Sequence, residues 1–125
     1  MPAIVVKPQE SAVFTRGKDA TVYKMVYAES PVPCKTLFVG RTVIAPGGAF
    51  PLHSHPVEEV YYVLSGRGFA EVDGERVAFE AGDAVFIPAN VKHRPINGSP
   101  SEPLVFLAAA GIVLSSCRET DIESW

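Results

Sequence analysis

The apolar stretches of this chain are short, and proline or glycine cuts each of them off. They are rich in Val, Phe, Tyr, Thr and Ile, residues that suit a pleated, half-buried surface. These stretches predict strands at 3–6, 12–15, 20–28, 36–45, 49–55, 58–65, 67–72, 75–80, 84–88, 92–97 and 103–110. Eleven prolines and ten glycines leave no room for a long helix. Gly66 and the pair Asp73-Gly74 read as hairpin turns, the pair being a strong two-residue turn signal. Pro46-Gly47-Gly48, Ala81-Gly82-Asp83 and Asn97-Gly98-Ser99-Pro100 mark further turns. Many short strands with regular turns predict an all-β sandwich or a closed barrel. Closure also removes the unpaired edges that so many strands would otherwise expose. The stretch from Ser115 to Trp125 reads as a polar, acidic tail with at most one helical turn and Trp125 as an apolar anchor.

Composition narrows this picture. The length, 125 residues, suits one domain covering residues 1–125. A chain of this size buries roughly two-thirds of its unfolded surface, so a core forms without covalent staples. Hydrophobic residues make up 47% and charged residues 20%, a globular balance. The net charge of −3 is spread along the chain, with no basic footprint for nucleic acid and no polybasic membrane patch. The segment Met1 to Pro8 lacks the apolar region of a signal peptide, and the longest apolar run, Leu104 to Leu114, is too short to span a bilayer. Cys34 and Cys117 are expected to be free thiols, and the protein is expected in the cytoplasm.

The candidate chemistry lies in three histidines between positions 53 and 93. On a strand His53 and His55 project from one face, so both imidazoles can enter one cavity. Ser54 between them would point away. In the next strand Glu59 and Tyr61 share one face, while Glu58, Val60 and Tyr62 share the other. One glutamate of the adjacent pair must therefore face inward, where a carboxylate is costly unless paired or metal-bound. His93 lies where a later strand could return beside this hairpin. Imidazole and carboxylate donors suit Fe(II), Mn(II), Ni(II), Co(II) or Zn(II).

The spacings around these residues resemble those of the cupin family. Its first motif, glycine, His-x-His, glutamate and glycine, is matched by Gly47, His53, His55, Glu59 and Gly66. Its second is matched at Gly82, Pro88, His93 and Asn97, with Asn90 where the family has glycine. Asparagine tolerates left-handed backbone angles best among the other residues, so the turn is expected to survive. The motifs occupy 47–66 and 82–97, separated by the short 67–81 linker. The resemblance implies a cupin jelly-roll barrel with six to eight strands in each layer. It also implies that His53, His55, Glu59 and His93 bind one divalent transition metal, which selects Glu59 over Glu58.

Four protein ligands leave one or two positions open on a five- or six-coordinate ion, the mark of a catalytic site. Tyr61, on the face of Glu59, is a candidate hydrogen-bond donor or, with a lowered pKa, a general acid or base. Phe38, Phe50, Phe86 and Phe106 are candidates for the lining of a substrate pocket or for core filling. Arg41 would clamp a carboxylate if it faced inward, but it is expected to face solvent. The resemblance favours an iron- or manganese-dependent oxygenase acting on a small molecule. The alternatives are a Lewis-acid isomerase, cyclase, decarboxylase or lyase, and a metabolite-binding module without catalysis. A homodimer is expected, with Ala3–Val6 as a strand that could extend a partner's sheet.

Overall fold

The computed structural model describes residues 3–28 and 30–111. Ser115–Trp125 and Cys117 lie outside the described residues. Among the described residues there are two antiparallel sheets and a single 3₁₀ turn, Pro8–Glu10. The strands are β1 (Ala12–Arg16), β2 (Ala20–Val26), β3 (Leu37–Ile44), β4 (Glu59–Ser65), β5 (Arg67–Val72), β6 (Glu75–Glu80), β7 (Ala84–Ile87), β8 (His93–Asn97) and β9 (Leu104–Gly111). The larger sheet runs β1-β2-β3-β9-β4-β7 and the smaller β6-β5-β8.

The period of two is clear in β3, β4, β8 and β9. In β3 the inward set Phe38, Gly40, Thr42 and Ile44 is buried, while Arg41 lies on the outer face with its guanidinium 4.3 Å from the centre of the Tyr23 ring. In β4, Glu59, Tyr61 and Val63 are buried and Val60, Tyr62 and Leu64 exposed. The inward residues of both sheets form one core around Ile44, Val63, Ile87, Leu104 and Phe106. A fully buried side chain of this size contributes about 1.5–3 kcal/mol.

The turns follow their residues. Asp73 and Gly74 both take positive φ, 50° and 82°, and join β5 to β6 with Val72 opposite Glu75. That is the hairpin turn whose twist matches its strands. Asn90 takes φ 65°, so the asparagine standing in for glycine does adopt the left-handed turn.

Two expected strands do not form. Residues 3–6 carry no strand. Residues 49–55 make only isolated bridges to β8, Ala49 with Ile96 and His53 with His93. The second bridge exchanges both backbone bonds, at 3.0 and 2.8 Å. Two residues along each segment from that pair stand Pro51 and Pro95, and neither has an N–H to donate. The ladder therefore breaks where it would next close, and contact resumes beyond the prolines with Phe50 N–H donating to Pro95 O at 3.0 Å and Asn97 N–H to Gly48 O at 2.9 Å. The smaller sheet therefore has three strands where segment 49–55 would have added a fourth; the larger has six, so only the larger reaches the expected six to eight.

Asn97 seals the barrel at the end of β8. Its buried amide donates to the carbonyls of Ile44, Ala45 and Glu102 at 3.1, 3.1 and 2.8 Å, and its Oδ1 accepts from Ser99 N–H at 2.8 Å. Replacing Asn97 with alanine strands several buried polar groups, each costing about 1–3 kcal/mol. Urea denaturation of Asn97→Ala should show a loss of about 2–4 kcal/mol. Asn97→Asp, though nearly isosteric, should lose at least as much, because it turns an acceptor toward three carbonyl oxygens. A wild-type midpoint in Asn97→Asp would contradict this account.

Candidate metal centre

The four residues singled out by their spacing converge inside the barrel. His53, His55, Glu59 and His93 are 3%, 2%, 5% and 1% exposed, and one ligand atom of each lies within 4.8 Å of the others. The bridge between His53 and His93 sets two of the imidazoles side by side, their ring centres 4.3 Å apart. His55 follows in a segment that keeps the alternation of burial although it forms no ladder. Its carbonyl accepts from Asn90 N–H at 2.8 Å, which ties this segment to the turn that precedes β8. Glu59, at the start of β4, completes the group from the opposite sheet.

Each histidine is oriented by its own segment. Nδ1 of His53 bonds the carbonyl of Pro51 at 2.8 Å, Nδ1 of His55 that of Val57 at 2.8 Å, and Nδ1 of His93 that of Val91 at 2.9 Å. A carbonyl can only accept, so in all three rings Nδ1 carries the proton and Nε2 turns inward with its lone pair. This is the arrangement typical of histidines that bind metals.

The electrostatics of the group call for a cation. Glu59 Oε1 lies 3.3 Å from His55 Nε2 and 3.4 Å from His93 Nε2. A neutral imidazole in the tautomer above turns its lone pair against that carboxylate oxygen, and the repulsion is removed by a proton or by a shared metal ion. For His55, burial opposes charging, yet the hydrogen bond and charge of Glu59 outweigh it and raise the pKa. His53 is driven the other way, to about 4, by burial and then by the proximity of His93, so it stays neutral at pH 7. Burial alone would raise the pKa of Glu59, but the imidazoles of His55 and His93 outweigh it and hold it at about 2. His93 Nε2 is buried and makes no hydrogen bond, an orphaned lone pair inside the core. Cis donors on an ion with bonds near 2.1 Å stand about 3.0 Å apart, close to the spacing around Oε1. The four residues thus fit a divalent transition metal.

A cavity adjoins the quartet. It leaves about 30 Å³ open to a water-sized centre, with His53 and Glu59 in its wall. Phe38, Phe50 and Phe106 also line it and belong at the same time to the core. Phe86 does neither of the two things expected of it, lining the cavity or filling the core. It pairs with Val60 on the outer face of the larger sheet and is 58% exposed. Tyr61 lines the cavity and packs on Phe106 with ring centres 4.6 Å apart. Burial, then the charge of Glu59, push its pKa well above 10, opposite to the shift acid–base catalysis requires. Its hydroxyl remains a donor. Arg16 and Lys24 reach the same cavity and escaped the sequence reading, which considered only Arg41 as a cation. The signal lay in β2, where Lys24 follows Ala20 and Val22 on the inward face.

Comparison with known proteins agrees with this architecture. The family profile described as Cupin domain matches residues 40–110, and the chain belongs to that family. The gentisate 1,2 dioxygenase 1 of Aquipseudomonas alcaligenes is 33% identical over 68% of this chain, but the match spans 24% of that enzyme. The uncharacterised protein MJ1618 of Methanocaldococcus jannaschii is 32% identical over 58% of each chain. The chain thus spans just over half of one of these relatives and about a quarter of the other. The oxalate-binding protein of Thermotoga maritima is 28% identical over 82% of this chain and 85% of its own. A solved structure of a predicted oxalate decarboxylase from Thermotoga maritima superposes with a TM-score of 0.74 at 26% identity, covering 88% of this chain and 100% of that one.

Added Mn(II) or Zn(II) at about a hundred times its dissociation constant should stabilise the protein by about 2.7 kcal/mol, a rise in Tm of roughly 10 °C. In His93→Ala that increment should vanish. Reading the increment, not the absolute Tm, separates lost binding from the cost of the truncation. An undiminished increment in the variant would show that the quartet is not the binding site.

Proposed function

We propose that this chain is a metal-dependent cupin that acts on a small organic molecule held in the cavity beside His53 and Glu59, with an iron- or manganese-dependent oxygenation as its chemistry. The observation that carries this reading is the meeting of an inward-facing three-imidazole, one-carboxylate set with an apolar cavity. When bound, such an ion supplies Lewis acidity and, if iron or manganese, one-electron redox steps. The protein's own residues hold and screen the substrate. Phe38, Phe50 and Phe106 keep the surroundings of the quartet apolar, and the Tyr61 hydroxyl offers a hydrogen bond.

Oxygenation is preferred to Lewis-acid isomerisation, cyclisation or elimination because of what lines the cavity. Among its described lining residues the one carboxylate is Glu59 and the one imidazole His53, both in the ligand set. A reaction that needs a carboxylate or imidazole as general base is therefore poorly served. The likeness to a gentisate dioxygenase supports the same choice. A second reading, binding without turnover, is supported by the likeness to a protein named for oxalate binding, which extends over most of both chains.

Protein purified without added metal should contain iron or manganese and consume oxygen when supplied with its substrate from a panel of small organic acids and phenols. Zinc content with no uptake for any member would reject the oxygenase. Saturable binding with no change in the ligand would instead support the second reading.

The same proposal includes a homodimer. Val60, Tyr62, Leu64 and Phe86 crowd the outer face of β4 and β7, where a second copy would gain most from burial. Light scattering should give a dimer mass for the wild type at micromolar concentration and a monomer mass for Phe86→Glu. A wild-type monomer would contradict this.

A further inference from the structure

Two hydroxyls face the cavity from the larger sheet. Thr42 lies on the inward face of β3 and Tyr61 on that of β4, and β9 runs between these strands. Phe106 of β9 joins the two: it stands opposite Thr42 in the ladder, and its ring packs on that of Tyr61. All three residues line the cavity together with His53 and Glu59. Thr42 is 3% exposed and Tyr61 2%, yet among the described residues neither hydroxyl has a hydrogen-bond partner. Nor is either sealed into the packing, as His93 Nε2 is. The little surface these hydroxyls keep is therefore surface of the cavity. Their neighbours in its wall, Phe38, Phe50, Pro95, Phe106 and Ala108, offer no side-chain acceptor, and Glu59 is engaged with His55 and His93. Buried polar groups are normally hydrogen-bonded, so donors open only to a cavity take their acceptors from what enters it.

The volume limits the ligand. One water needs roughly 10–15 Å³ of such space, so a cavity of about 30 Å³ admits about three non-hydrogen atoms. Phe38, Phe50 and Phe106 belong to the packed core and hold this limit in place. We propose that Thr42 and Tyr61 form a hydrogen-bonding clamp for a compact acceptor ligand, of the size of formate or azide, in the cavity beside His53 and Glu59. The inference rests on the reading above only in taking this cavity as the ligand site, and it narrows the small molecule to the smallest acids. Each hydroxyl donates to a terminal atom of the ligand. Hydrogen bonds to a charged acceptor are stronger than those between neutral groups, and an apolar wall strengthens them further.

The test follows azide by its infrared stretching band, on the full chain loaded with Co(II) and on the same chain without metal. Azide should bind, formate should displace it, and benzoate should not. Tyr61→Phe and Thr42→Val each remove one hydroxyl at nearly constant shape and should weaken azide by roughly tenfold. The azide band should also shift in each variant, because it responds to hydrogen bonding at the terminal nitrogen. Co(II) stoichiometry should stay that of the wild type, which shows that the variants are folded. Four results would overturn the proposal: no azide bound with or without Co(II), benzoate bound as tightly as formate, wild-type azide affinity in the double variant, or weaker binding there with the band unmoved. Hydroxyl-dependent azide binding in a chain that retains no Co(II) would refute the metal-dependent reading and leave this one standing.

Discussion

An ionised carboxylate at the centre of a β-barrel is the constraint around which this protein is arranged. Glu59 is buried on the inward face of β4, an interior strand of the larger sheet, and is almost wholly removed from bulk water. An uncompensated charge in such a place costs several kcal/mol. The compensation comes from His55, four residues away in the chain, and from His93 on the opposite wall, which closure of the barrel brings to the carboxylate. Closure, ligand convergence and tolerance of Glu59 are thus one condition met three ways.

The wall that carries the histidines is also where regular pairing ends. Pro51 and Pro95 interrupt the ladder beside the His53–His93 bridge, and Asn97 secures the chain beyond the interruption. A continuous ladder would have locked this wall as firmly as β3 locks to β9. Instead a single doubly bonded bridge positions the two rings, and the flanking backbone is free to aim its carbonyls at their Nδ1 atoms.

Much of this was legible in the sequence because it depends on short-range rules. Strands 67–72 and 75–80 with their Asp-Gly turn emerged with the expected limits, since the turn chemistry and flanking pattern agree. The face carrying Glu59 and Tyr61 followed from the period of two, and Asn90 from its tolerance of positive φ. What was not legible depended on partners distant in the chain. The loss of strand 49–55 needs the knowledge that Pro51 and Pro95 stand level on neighbouring segments of one wall. Phe86 faces outward because it stands opposite Val60, a relation set by register and not by composition. Lys24 shares the inward face with Ala20 and Val22 in the pattern of β2, but Arg16 lies beyond the expected strand 12–15 and is placed on that face only by its pairing with Ala20.

The three Nδ1 bonds share a property beyond their number. Each spans two residues, from His53 to Pro51, from His55 to Val57 and from His93 to Val91. Ring orientation is therefore encoded within tripeptides, while the barrel supplies only their separation. The centre is modular in this sense: three short segments carry their own aim. An engineer could move the donor set to another β-scaffold by matching three backbone positions and one inward glutamate, without importing the surrounding core.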